Sequence, residues 1–192
     1  QDAHVREVAA LVEEMTMALE AVGLVPEIVS GGSTPTLWRS HNYGGINEIR
    51  SGSSIFFDLE ALRVGVASHE DLAYTVLTTV VSTAVQGSAV VDAGSKALSK
   101  EVRSVEGDFG VLFDRPEITV KALNEEHGVL DLSRTDWEPT IGDQVRIIPN
   151  HVCVSVNLQD SLLAQDGNAH VMLNLEAKGR SLWVEESLLN TH

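Results

Sequence analysis

The sequence contains a single cysteine, Cys153, among 192 residues. One cysteine cannot form an internal disulfide, so the composition favours a reducing, cytoplasmic setting. Basic residues are also scarce: 13 Lys and Arg face 28 Asp and Glu, which gives a formal net charge of −15. Because this charge repels phosphate backbones and anionic lipids, we expect no nucleic-acid partner and no membrane partner.

Long apolar runs are absent as well. No segment is apolar for long enough to span a bilayer, and the N-terminus has no signal-peptide pattern. The hydrophobic content of 43% is ordinary for a globular protein with a core. The chain begins with Gln1 instead of Met, so we expect a processed, trimmed or partial protein.

The order of predicted elements divides the chain near residue 72. Helical periodicity predicts a helix over residues 2–22, and short strands are predicted at 25–30 and 47–58, which is typical of an α/β unit. Only strands are predicted beyond this point, at 74–85, 89–93, 118–123, 128–132, 144–148, 152–158 and 170–175. The first part is too small to close a sheet, so we expect either that its remainder lies on another chain or that this chain is the C-terminal piece of a longer protein.

Two loops that follow the early strands are rich in hydrogen-bond donors. The first is Ser30-Gly31-Gly32-Ser33-Thr34-Pro35 and the second is Arg50-Ser51-Gly52-Ser53. Glycines let the backbone approach an anion, and the hydroxyl groups add donors, so together the loops indicate a phosphate site. A glycine-rich turn without any ligand remains the alternative for each loop.

The segment Ile147-Ile148-Pro149-Asn150-His151-Val152-Cys153 places an imidazole and the thiol two positions apart. In a predicted strand, side chains at i and i+2 leave the same face. A histidine nitrogen and a thiolate would supply half of a tetrahedral zinc site. The alternative is a buried histidine next to a small, apolar cysteine in the core.

Two other motifs carry weaker indications. Lys96 could hold a carbonyl cofactor, but Asp-Ala-Gly-Ser before it predicts a turn and a surface lysine. Glu125-Glu126-His127 is either an acid/base cluster or a solvated hairpin. No serine lies in a nucleophile-elbow pattern, so the sequence gives no support for a hydrolase triad.

These segments, taken in order, resemble the D-serine dehydratase / D-threonine aldolase family. The resemblance rests on the two loops, on Val91-Asp92-Ala93-Gly94-Ser95-Lys96, on Glu125-Glu126-His127 and on Pro149-Asn150-His151-Val152-Cys153. It implies the alanine-racemase-like fold, a pyridoxal-phosphate-binding (β/α)8 barrel followed by an all-β domain. Residues 1–71 would be the C-terminal portion of the barrel, and residues 72–192 the β-domain with the metal site.

The resemblance also implies a cofactor, a metal and the residues that hold them. Pyridoxal 5'-phosphate would act as an electron sink, and zinc or another divalent metal would act beside it as a Lewis acid. The implied phosphate ligands are Gly32, Ser33, Thr34, Gly52 and Ser53. Arg50 would lie near the pyridine ring, and His151 and Cys153 would bind the metal.

The activity implied by the resemblance is D-serine dehydration to pyruvate and ammonia. The alternatives are D-threonine aldolase activity, which gives glycine and an aldehyde, and a non-catalytic cofactor-binding homologue. The family's cofactor-linked lysine lies in the first barrel strand, and no matching position holds Lys96, Lys100, Lys121 or Lys178. We therefore expect a piece of an enzyme about twice as long, which by analogy is a homodimer.

Overall fold

The computed structural model describes residues 2–102, 107–176 and 178. The helices are α1 (Asp2–Ala21), α2 (Leu59–Arg63), α3 (Ser95–Leu98) and α4 (Val152–Asn157). The strands are β1 (Ser30–Gly31), β2 (Glu48–Ile49), β3 (Val76–Ser82), β4 (Ser88–Val91), β5 (Gly110–Leu112), β6 (Val120–Leu123), β7 (Gly128–Asp131), β8 (Gln144–Pro149), β9 (Ser161–Asp166) and β10 (Ala169–Asn174). Short 3₁₀ helices occupy Thr34–Asn42, Ser53–Ile55 and His69–Asp71.

Helix α1 confirms the helix predicted over residues 2–22. It ends before Gly23, whose positive φ of 83° and hydrogen bond to the Glu20 carbonyl (2.9 Å) close the last turn. Val5 is the one buried residue of the helix, whereas Met15 and Met17 are 65% and 59% exposed. The described residues therefore leave most of its apolar stripe uncovered. Among the described residues, no helix is both long enough and apolar enough to span a membrane.

The two first strands are shorter than the sequence predicts. Strand β1 pairs in parallel with β2 over two residues each, and the predicted extents of 25–30 and 47–58 are wrong. After β2 the chain turns into a 3₁₀ helix and then into α2, because the Asp58 side chain accepts the Ala61 N–H (3.0 Å) and starts that helix.

A six-stranded antiparallel sheet forms the centre of the molecule, in the order β5-β8-β3-β4-β7-β6. A bridge between Val111 and Thr119 brings its two edges together, so the sheet is nearly closed into a barrel. The interior is apolar and fully buried, with 0% exposure at Val80, Val91, Ile118, Val120, Leu130 and Ile147. This sheet confirms the predicted all-β region, although β5 and β9 were not predicted.

A second apolar cluster fixes residues 57–72 to the sheet. It consists of Phe57, Leu59, Ala61, Val66, Leu72, Val111 and Ile148. The last two belong to β5 and β8, so burial of apolar surface holds the segment before residue 72 against the sheet. The domain boundary near residue 72 stays a prediction, and residues 179–192 of the predicted β-domain lie outside the described residues.

The strand predicted over residues 152–158 is wrong, because this segment forms helix α4. Valines at alternate positions produce a strand-like pattern here. The helix begins at this point because the Asp58 carboxylate accepts the Val152 N–H (2.9 Å). His151 is therefore the residue that precedes the helix, and Cys153 lies in its first turn, instead of both lying on one face of a strand.

The segments 91–96 and 125–127 contact each other. The Ser95 N–H donates to the Asn124 carbonyl (2.8 Å), and the Lys96 N–H donates to the Glu125 carbonyl (3.1 Å). A Cβ atom on Gly94 would lie 2.3 Å from the Glu125 carbonyl oxygen. Glycine is therefore required for α3 to begin against the β6–β7 hairpin.

The titratable side chains of these two motifs face solvent. Lys96 is 68% exposed and forms an ion pair with the Glu126 carboxylate, which raises the pKa of Lys96. This contact confirms the predicted surface position of the lysine. Asp92 accepts the Thr78 hydroxyl (2.6 Å) and the Thr79 N–H (2.8 Å), and these hydrogen bonds lower the pKa of Asp92.

We predict that Gly94→Ala destabilises the fold, because the new methyl group would meet backbone atoms that cannot move freely. The expected loss is about 1–3 kcal/mol in the free energy of unfolding, measured by urea denaturation. Gly44→Ala is the control, since no atom lies within 4 Å of its added Cβ. Equal losses in the two variants would contradict the close approach at Gly94.

Candidate cofactor and metal site

The parallel pairing of β1 and β2 places the two donor-rich loops side by side. Ser30 pairs with Glu48, and Gly31 pairs with Ile49. The Arg50 N–H extends the ladder by donating to the Gly31 carbonyl (3.0 Å). Because the carboxyl ends of parallel strands lie at one edge, residues 32–34 and 50–53 share that edge.

The first loop turns sharply at Gly32, which has a φ of 76°, a conformation that favours glycine. Ser33 follows as an exposed residue in extended backbone, and its side chain makes no capping hydrogen bond to the 3₁₀ helix after it. Thr34 is buried, with 6% exposure. The loop thus presents a bare backbone turn and one exposed hydroxyl at the edge.

The second loop separates a cation from its small residues. The Arg50 guanidinium donates to the Ser30 hydroxyl (3.2 Å), so it lies at the level of strand β1. Gly52 is exposed, and no atom lies within 4 Å of the position of an added Cβ. Ser53 begins the next 3₁₀ helix. The open backbone at Gly52 and the hydroxyl at Ser53 fit a phosphate. Arg50 lies closer to strand β1 than these two residues do, through its contact with Ser30.

The two loops meet at a small cleft. Thr34 and Ser53 line it, together with Pro35, Asp58, Glu60, Ala61 and Val66. The structure therefore brings one predicted phosphate ligand from each loop, Thr34 and Ser53, to the same cleft. The cleft also contains Asp58, which is not among the site residues predicted from the sequence. Its position directly before Leu59 and Glu60 is typical of a helix start, so the sequence did carry a signal for it.

Asp58 connects this cleft to the predicted metal ligands. It is 2% exposed, and its two carboxylate oxygens accept different N–H groups: Oδ1 that of Ala61 (3.0 Å) and Oδ2 that of Val152 (2.9 Å). One buried carboxylate thus caps both α2 and α4. Since α4 carries Cys153, the position of the thiol depends on the residue that lines the phosphate cleft.

A polar network holds the end of β8 beside α2. Asn150 is 1% exposed, and its side-chain oxygen accepts a hydrogen bond from Arg63 (3.1 Å). The Asn150 amide donates to the Asp108 carbonyl (2.7 Å), and Arg63 also pairs with the Asp108 carboxylate (3.4 Å). These contacts fix the residue directly before His151.

The far side of α4 is anchored in the sheet domain. The Ser155 hydroxyl donates to the Ala97 carbonyl (2.5 Å) and contacts the Tyr74 hydroxyl (3.0 Å). Burial raises the pKa of Tyr74, so the phenol is neutral and can donate to Ser155. The helix that carries Cys153 is therefore held at both its start and its middle.

His151 and Cys153 differ in their surroundings. The His151 side chain is 21% exposed, and its Nδ1 lies 2.8 Å from the Glu101 carboxylate. Cys153 is exposed and forms no disulfide. An imidazole paired with a carboxylate and an exposed thiol suit a zinc-like metal. The described residues contain no group of three or more His, Cys, Asp or Glu that could hold a metal ion, so this pair needs further ligands.

Comparison with known proteins identifies the family. Residues 73–164 match the family described as "Putative serine dehydratase domain". The chain is 38% identical over 154 residues to the D-threo-3-hydroxyaspartate dehydratase of Delftia sp. (strain HT23), which covers 72% of this chain and 40% of that protein. The chain belongs to the D-serine dehydratase / D-threonine aldolase family. This confirms the resemblance that the sequence motifs indicate.

Further relatives differ in their reactions and lengths. The 3-hydroxy-D-aspartate aldolase of Paracoccus denitrificans (strain Pd 1222) is 32% identical over 179 residues, or 89% of this chain and 44% of that protein. An uncharacterised protein of Mycobacterium tuberculosis is 32% identical over 129 residues, which is 65% of this chain and 97% of its own length. The chain thus spans less than half of the named enzymes.

Solved structures confirm the predicted fold class. An alanine racemase-like protein from Idiomarina loihiensis superimposes with a TM-score of 0.77 at 26% identity, over 88% of this chain and 49% of that one. A cysteine-to-alanine variant of a D-threo-3-hydroxyaspartate dehydratase, solved in the metal-free form, has a TM-score of 0.73 at 28% identity, over 88% and 51% of the two chains. Another solved variant of this dehydratase replaces a histidine two positions earlier with alanine.

We predict that Asp58→Ala lowers the free energy of unfolding by about 2–4 kcal/mol, because two buried N–H groups lose their acceptor. Asp58→Asn should cost less, since one amide oxygen can still cap one helix. Chemical denaturation measures both losses. Asp160→Ala is the control, because that side chain is 94% exposed. A loss at Asp58 no larger than at Asp160 would contradict the shared cap.

Proposed function

We propose that this chain is the C-terminal part of a pyridoxal-phosphate- and metal-dependent lyase that acts on D-3-hydroxy amino acids. The observation that carries the proposal is the position of Asp58. This residue lines the cleft between the two phosphate loops and also caps the helix that bears Cys153. The loops proposed for the phosphate and the pair proposed for the metal would thus belong to one structural unit.

The two loops would hold the cofactor. Gly32, Ser33, Thr34, Gly52 and Ser53 would surround its phosphate, and pyridoxal phosphate when bound supplies an electron sink at the substrate's α-carbon. Arg50, which contacts Ser30 on strand β1, would lie nearer the ring than the phosphate. The Gly52 backbone, without a Cβ, leaves room for an anion at the edge of the strands.

His151 and Cys153 would hold the divalent metal, which supplies a Lewis acid for the substrate's β-hydroxyl. A thiolate ligand favours zinc over magnesium or calcium. The metal-free cysteine variant of the related dehydratase supports this assignment, because the replaced histidine and cysteine of that protein are also two positions apart. The Glu125 and His127 backbones lie against Gly94, and Glu126 pairs with Lys96; we assign these three residues no catalytic role.

Dehydration is the preferred reaction, with D-serine or D-threo-3-hydroxyaspartate as substrate and ammonia plus a 2-oxo acid as products. The histidine–cysteine pair and the identity to a dehydratase favour this reaction. Retro-aldol cleavage to glycine and an aldehyde is the second candidate, favoured by the aldolase relative that aligns over 179 residues. The two reactions break different bonds, C–O in one and C–C in the other, so their products separate them.

The active enzyme would also contain the first half of the barrel. Two-residue strands cannot close a barrel, and the apolar stripe of α1 is uncovered by the described residues. The missing half would supply the cofactor-linked lysine and the neighbours of β1 and β2. A homodimer is expected by analogy with the family.

The test combines this chain with the first half of the related Delftia dehydratase. Purified complex with pyridoxal phosphate and zinc is assayed for ammonia, 2-oxo acid and aldehyde, with D-serine, D-threo-3-hydroxyaspartate and D-threonine. Ammonia and 2-oxo acid are the expected products. Aldehyde and glycine would identify the aldolase, and no turnover of any substrate in a cofactor-loaded complex would favour the non-catalytic homologue.

Cys153→Ala is predicted to remove the metal and to lower kcat/KM at least about 100-fold while leaving the fold intact, because the thiol is exposed. Metal content by mass spectrometry and circular dichroism measure the two effects. Asn157→Ala, an exposed position on the same helix, is the control and should retain metal. Full metal content in Cys153→Ala would remove the thiol from the site.

A further inference from the structure

We propose that Glu101 is a positioning residue that orients His151 towards the metal. This inference rests on the metal site proposed above. The Glu101 carboxylate lies 2.8 Å from His151 Nδ1, and the two side chains are 31% and 21% exposed. The pair spans 50 sequence positions, so no local sequence pattern indicates it.

The contact determines which ring nitrogen can bind a metal. An ionised carboxylate only accepts hydrogen bonds, so His151 Nδ1 carries the proton that it shares with Glu101. The lone pair is then on Nε2, at the opposite side of the ring. Partner carboxylates of this kind fix the tautomer and raise the basicity of a metal-binding histidine, and their loss typically lowers metal affinity about 10- to 100-fold.

Glu101 is itself held in place by the residue next to His151. The Asn150 side-chain amide donates to the Glu101 carbonyl (3.2 Å) as well as to the Asp108 carbonyl (2.7 Å). Arg63 donates to the same Asn150 side chain (3.1 Å). Consecutive residues 150 and 151 thus contact the backbone and the carboxylate of Glu101, which fixes the distance between carboxylate and imidazole.

The His151 side chain takes no part in capping α4. Its backbone is extended at the start of the helix, and its side chain makes no capping hydrogen bond there. Asp58 performs the capping instead, through the Val152 N–H. The start of α4 therefore does not depend on the His151 imidazole, and the ring can be oriented by its contact with Glu101.

The experiment compares the full chain with Glu101→Ala, Glu101→Gln and the control Glu117→Ala. Glu117 is an exposed glutamate, and the Thr135 hydroxyl approaches its carboxylate at 3.5 Å. Two quantities are measured: the His151 tautomer, by long-range proton–nitrogen NMR of the metal-free chain at a pH where the ring is neutral, and Co²⁺ affinity, from the thiolate–cobalt absorbance.

The wild-type chain should show the Nδ1–H tautomer and bind Co²⁺. Glu101→Ala should shift the ring to the Nε2–H tautomer that histidine prefers in water, and weaken Co²⁺ binding about 10- to 100-fold. Glu101→Gln keeps an oxygen acceptor and should restore most of both properties. Glu117→Ala should match the wild type.

Two results would overturn the inference in different ways. An unchanged tautomer and unchanged Co²⁺ affinity in Glu101→Ala overturn the role of Glu101 and leave the metal site standing. A folded wild-type chain that binds no Co²⁺ removes the proposed metal site, and the inference with it. Because the substituted side chain is 31% exposed, the alanine variant should fold, and circular dichroism verifies that it does.

Discussion

The arrangement of the site depends on one buried interaction, the double cap by Asp58. A carboxylate in the interior is stable only when its oxygens are satisfied, and here each oxygen accepts an N–H from a different helix. The requirement fixes α2 and α4 relative to each other. Since the first follows the phosphate loops and the second carries Cys153, the same requirement fixes the distance between the two halves of the site.

The nearly closed sheet provides the rigid support for this interaction. Its fully buried interior and the apolar cluster with residues 57–72 hold β8 and α2 together, so Asn150 and Arg63 contact each other across the junction (3.1 Å). By contrast, α1 packs mainly against the 3₁₀ helix Thr34–Asn42, and β1 and β2 pair with each other. The residues around His151 and Cys153 are thus held by the sheet, whereas the loops after β1 and β2 are more open. This is the arrangement expected if another part of the barrel completes the site.

The sequence predicts the regular parts of this structure and fails where distant residues decide. The periodicity of α1 and the alternating strands of the sheet follow local rules, and the family motifs indicate the fold class. Residues 152–158 follow the same alternation but form a helix, because their cap is Asp58, 94 positions away. Glu101 could not be predicted either, since its only signal is a contact with His151 across 50 positions.

The most direct test of the account is the ligand set of the metal in the zinc-loaded protein, measured by X-ray absorption at the zinc edge. We expect one sulfur at about 2.3 Å from the zinc and one imidazole nitrogen at about 2.0 Å, with oxygen ligands completing the coordination shell. The sulfur and the imidazole should both come from the start of one short helix, α4, which Asp58 caps. A spectrum with oxygen ligands alone would contradict the histidine–cysteine site and the function built on it.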